Sequence, residues 1–65
     1  MKPFVKQILR RQLDKSLTQL NSSVIYINKM KYKIFRGRII AITEPNGKVV
    51  ANIEYLFSLT IEIYK

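Results

Sequence analysis

The apolar residues of this chain change their spacing near Asn21, and that change limits the fold more than any other feature. Before it, Phe4, Val5, Ile8, Leu9, Leu13, Leu17 and Leu20 recur at steps of three and four, which gathers them on one stripe of an α-helix. After Val24 the period falls to two and the composition turns to Ile, Val, Tyr and Phe, the residues that fill a pleated strand. With 65 residues there is room for a single domain, and without Cys or His the core has neither a disulfide nor a zinc site of the usual kind to hold it together. One helix and one sheet must therefore bury their apolar faces against each other.

The spacing predicts a helix over residues 1–21 and a β region over 24–65. Pro3 suits a first helical turn, and Asn21-Ser22-Ser23 supplies residues that stop helices. The β region opens with Val24 to Phe35, broken near Asn28-Lys29, along which Met30, Tyr32 and Ile34 share one face and Lys29, Lys31 and Lys33 the other. Gly37 marks a bulge or sharp bend before a second stretch, Arg38 to Thr43. Glu44-Pro45-Asn46-Gly47 reads as a tight turn, followed by strands over Lys48 to Phe57 and Leu59 to Tyr64. In the last two, Ile53, Tyr55, Phe57, Leu59, Ile61 and Ile63 fall on alternate positions. Ile40, Ile42, Val50, Leu56 and Tyr64 then face the other way, more apolar surface than a lone copy exposes comfortably, which points to a homo-oligomer.

One helix followed by four or five short, bent antiparallel strands is expected to close into a small α+β domain of the SH3-like or Sm-like barrel kind, with the helix across one open end. In this order of elements the chain resembles the Sm-like proteins, which also place a short helix before a bent five-stranded sheet. That likeness is one of architecture and implies a barrel. It brings no binding residue with it, because none of the family's motifs is matched here and small barrels host many functions.

Charge narrows the partner. Of the twelve Lys and Arg residues, ten lie in the first 38 positions beside one acid, Asp14, giving about +9; the remainder sums to about −1. Such a field favours a polyanion, DNA or RNA, or else an acidic protein surface, over a neutral small molecule. Composition is nevertheless that of a folded domain, at 48% hydrophobic residues with two Gly and two Pro. Charged residues interrupt the apolar residues after Met1, and nothing approaches the roughly 18 consecutive apolar residues of a membrane span, so a cytoplasmic protein is expected. The sequon Asn21-Ser22-Ser23 matches by chance on that reading.

Two clusters are candidates for binding. Lys29, Lys31, Lys33, Arg36 and Arg38 form a cationic row with Phe35 in it, spaced about 7 Å from one outward position to the next, which suits phosphates along a single strand. Lysines also protect edge strands from pairing, but that needs one or two and this stretch has three plus two arginines. Phe35 or Tyr26 could stack on bases, although most such residues in a strand are core. The second cluster is Lys6, Arg10, Arg11 and Lys15 on one side of the helix, suited to phosphate contact or to a solvated face. Membrane adsorption would take the helix stripe from the core.

An enzyme is not expected, nor a cofactor or metal. Asp14, Glu44, Glu54 and Glu62 are the only acids; Glu54 and Glu62 are the one conceivable carboxylate pair, and cross-strand pairing with Lys48 accounts for them. The serines have no imidazole partner. The expectation is a small basic protein that contacts nucleic-acid phosphates with little sequence preference. The alternative is a structural or adaptor module docking on an acidic protein, in keeping with a phage or other mobile element.

Overall fold

Pro3 occupies the first turn of helix α1 (Pro3–Ser16), where a missing N–H costs no helical hydrogen bond, in a computed structural model that describes residues 2–65. Residue 1, part of the expected helix, lies outside the described residues. Val5, Leu9 and Leu13 turn inward as the three- and four-step spacing requires, and Ser16 follows them into the core. The helix stops at Ser16 and not near Leu20. The Ser16 hydroxyl donates to the Leu13 carbonyl at 2.7 Å, and the Leu17 N–H closes a tighter turn on the Asp14 carbonyl at 3.3 Å. Leu17 and Leu20 are consequently exposed.

Four strands follow as an antiparallel meander: β1 (Ser23–Ile27), β2 (Met30–Phe35), β3 (Arg38–Thr43) and β4 (Val49–Val50), in the order β1-β2-β3-β4. Asn28 and Lys29, at φ of 50° and 66°, form the two-residue turn between β1 and β2, and Arg36 and Gly37, at 50° and 79°, form the next. Positive φ at both central residues is the hairpin geometry that matches strand twist. Gly37 thus makes a turn, and the bulge falls later, where pairing slips between Lys33↔Ala41 and Ile34↔Ile39 and leaves Ile40 as the extra residue. The expected turn at Glu44–Gly47 forms, with the Gly47 N–H on the Glu44 carbonyl at 2.9 Å and Gly47 at φ 87°.

After Val50 the structure departs from the sequence expectation. The residues read as the last two strands form helix α2 (Ile53–Tyr64), with Asn52 as N-cap accepting from the Tyr55 N–H at 2.9 Å and Glu54 in the first turn. Alternation at Ile53, Tyr55, Phe57, Leu59, Ile61 and Ile63 also splits into two stripes at four-residue steps, so a helix apolar on two sides imitates a strand. The sheet therefore stays open: β1 and β4 are its edges and are not paired with each other. With α2 holding the residues that would have supplied further strands, these elements do not build the closed SH3-like or Sm-like barrel.

Both helices lie on one face of the sheet, α1 against β2, α2 against β3, and each against the other. Between the layers lie Val5, Leu9, Leu13, Ile27, Tyr32, Ile34, Ile39, Ile42, Leu56 and Ile63. Burial pushes the Tyr32 phenol above its ordinary pKa, with Tyr55 adding to the effect. Two hydroxyls carry the polar connections across this core. Ser16 Oγ accepts from the Gly37 N–H at 2.8 Å; Thr60 Oγ1 accepts from the Ile39 N–H at 3.2 Å and donates to the Leu56 carbonyl at 2.9 Å. Replacing Thr60 by Val keeps the shape but leaves the Ile39 N–H buried without an acceptor. The expected loss is about 1–3 kcal/mol in urea unfolding, and an unchanged midpoint would show that water or another group replaces the hydroxyl.

Candidate nucleic-acid interface

Alternation along β2 decides what faces outward. With Tyr32 and Ile34 in the core, Lys31, Lys33 and Phe35 stand on the sheet face that carries no helix. The register sets Tyr26 and Thr43 on either side of Lys31, and Val24 and Ala41 on either side of Lys33. Tyr26 is 70% exposed and Phe35 36%. Among the described residues the acids lie elsewhere: Asp14 on α1, Glu44 in a turn, Glu54 and Glu62 on α2. The one ion pair among the described residues joins Lys65 to Glu62 at 3.5 Å, so the expected pairing of Glu54 and Glu62 with Lys48 is replaced by an exposed pair within the C-terminal turn. Lys33 is exposed on this face and Lys31 half-buried beside it.

The remaining cations of the predicted row do not lie on the strand. Lys29 is in the β1–β2 turn and Arg36 in the β2–β3 turn, so they mark the two ends of β2, about 20 Å apart. The Arg36 guanidinium sits 5.9 Å from the centre of the Phe35 ring, within cation–π range. Arg38 is Phe35's register partner, but it also borders an apolar groove of about 230 Å³ lined by Ile39, Ile40, Ile53, Leu56 and Phe57. The row is thus Lys31, Lys33 and Phe35 on the face, with Lys29 and Arg36 at its ends.

The α1 cluster belongs to the other layer. Lys6 Nζ donates to the Lys65 carbonyl at 3.4 Å, and the Arg10 guanidinium lies 5.9 Å from the Tyr64 ring. Both cations address the C-terminal end of α2, where helix carbonyls concentrate negative potential. The Tyr64 phenol is raised by burial and by Asp14, with Arg10 opposing. Arg11 and Lys15 are exposed on the same helix. Lys6 and Arg10 thus lie in the layer opposite Lys31 and Lys33, while Lys15 neighbours Ser16, whose hydroxyl accepts from Gly37 in the turn that carries Arg36.

Sequence reasoning undervalued Tyr26. Its outward position follows from Ile25 and Ile27 on either side, both of which turn inward. The apolar surplus was assigned to the wrong residues: Ile42 and Leu56 are buried, while Ile53, Tyr55, Phe57 and Ile61 are exposed along α2. Among the described residues no three His, Cys, Asp or Glu side chains gather as a metal site, and no helix is long and apolar enough to cross a membrane. No protein family, curated protein or solved structure matches the chain.

Lys29 holds a φ of 66°, the position where Gly is favoured in this turn. Replacing Lys29 by Gly is expected to relieve left-handed strain and raise unfolding stability by about 1 kcal/mol. A lower urea midpoint would mean that the lysine side chain contributes more than its backbone costs.

Proposed function

We propose that this protein is a small, non-enzymatic nucleic-acid-binding protein of the cytoplasm that contacts phosphates with little sequence preference through the open face of its sheet. The observation that carries this reading is Lys31 and Lys33 side by side on a face without a carboxylate, with Lys29 and Arg36 at the two ends of their strand. Nothing in that arrangement distinguishes one base sequence from another, since cations on a phosphate backbone position the protein without reading bases. If about four cations engage phosphates, log K falls with log salt at a slope of roughly −3 to −3.5. Fluorescence anisotropy with a labelled oligonucleotide should then show affinity dropping roughly 50- to 150-fold between about 50 and 200 mM salt. The double substitution Lys31→Glu and Lys33→Glu should weaken every sequence alike. Absence of binding at the lower salt would overturn the reading and reassign the face to an acidic protein.

We also infer that the protein self-associates through α2. Ile53, 83% exposed, and Phe57, 56% exposed, border the groove beside β3, and Ile61 extends the stripe by one turn. A second copy is the occupant that charge favours. Each copy carries +8, but among the residues lining this groove Arg38 is the one cation and α2 holds Glu54 and Glu62 with none before Lys65, so two copies meet there with least repulsion. Sedimentation equilibrium should show a dimer or larger species in the micromolar range, reduced to monomer by Phe57→Glu. A wild-type monomer at the highest attainable concentration would exclude this contact.

A further inference from the structure

The sheet face offers more than charge. Tyr26 stands across from Lys31, and Phe35 lies four residues beyond Lys31 on the same strand, which separates the two rings by roughly 14 Å with Lys31 beside the first and Lys33 between them. Lys31 and Lys33 are themselves about 7 Å apart, comparable to the phosphate step of an extended single strand. A single strand running along β2 meets Tyr26 and Lys31 side by side, then Lys33, then Phe35.

We propose that Tyr26 and Phe35 are base-stacking positions and that the ligand of this face is single-stranded nucleic acid, an inference that rests on the nucleic-acid reading above. One base stacks on Tyr26 and another on Phe35, two nucleotides further along, while Lys31 beside Tyr26 and Lys33 between the rings hold successive phosphates. Arg36, over the Phe35 ring, adds a second planar group beside the second base. Stacking of this kind is indifferent to sequence because every base has a π-face, which agrees with a face that carries no base-reading group.

A duplex fits poorly for two reasons. Its bases are already stacked on each other, so the exposed rings have nothing to receive. Its major groove admits a helix or a two-stranded ribbon, whereas this face is built from neighbouring strands β1, β2 and β3, roughly 10 Å between the outer strand axes before side chains are added.

The test compares the full chain on a labelled oligo(dT), an oligo(U) of the same length and a hairpin duplex, by anisotropy at about 50 mM salt, with Tyr26→Ala, Phe35→Ala, Tyr26→Phe and the Lys31/Lys33 double variant. Single strands should bind at least about tenfold tighter than the duplex. Each aromatic-to-Ala change should cost roughly 5- to 100-fold on single strands while leaving the salt slope unchanged, and Tyr26→Phe should restore binding. Tyr26 is exposed, so far-UV circular dichroism of its variants should match wild type. If the lysine variant loses binding but the aromatic variants do not, or if duplex binds as well as single strand, the stacking inference is overturned and the phosphate reading stands. If no oligonucleotide binds wild type, both fall. Equal losses on oligo(dT) and oligo(U) support stacking; a loss confined to one of them would replace it with a contact specific to the 2′-hydroxyl or to the thymine methyl.

Discussion

The hairpin joining β2 to β3 is held to the helix layer by two hydroxyl groups, and the rest of the structure depends on that attachment. Ser16 of α1 and Thr60 of α2 each donate to a carbonyl of their own helix and accept a backbone N–H from the hairpin, at Gly37 and at Ile39. The Tyr64 hydroxyl adds a longer contact, donating to the Gly37 carbonyl at 3.4 Å. Apolar burial drives the layers together but does not fix direction. Hydrogen bonds do, and a buried N–H left without one is costly. The period of two, with Tyr32 and Ile34 in the core, turns Lys31 and Lys33 away from the helices, and the two hydroxyls fix where the hairpin sits along them.

Legibility followed the separation between competing patterns. α1 was readable because its apolar steps of three and four match no strand, and β2 because Lys31 and Lys33 alternate with Tyr32 and Ile34 without ambiguity. α2 was misread because it is apolar on both its buried and its exposed side, and the Asn52 cap with Glu54 behind it was the local signal that could have corrected this. The cationic row was legible as composition. Its division among strand, turns and groove was not, since Lys29 and Arg36 adopt positive φ that their residue types do not advertise. Ser16 and Thr60 look like ordinary polar residues in the sequence, and only their burial shows what they hold.

Charge is distributed by layer. The helix-free face holds the unpaired lysines of β2, whereas Lys6 and Arg10 are turned to the end of α2 on the other side. Lys31 and Lys33 are therefore on one side of the sheet and Lys6 and Arg10 on the other, although the sequence runs them together. An extended polyanion lying along β2 would meet the first pair and pass the second by. The apolar stripe of α2 belongs to the helix layer as well, so self-association there would leave the sheet face of each copy uncovered.

The seam between α1 and α2 joins the two ends of the described chain, as the contact from Lys6 to Lys65 shows. Everything between them in sequence is a meander of neighbouring strands closed by short turns. Loop-closure entropy is small for those hairpins and largest for the seam. Topology thus orders the folding reaction: the hairpins need only local encounters, while α1 and α2 meet across nearly the whole chain length. A transition state built on the β2–β3 hairpin would leave the helix seam to close late, making the far ends of the sequence the region whose interactions slow unfolding more than they speed folding.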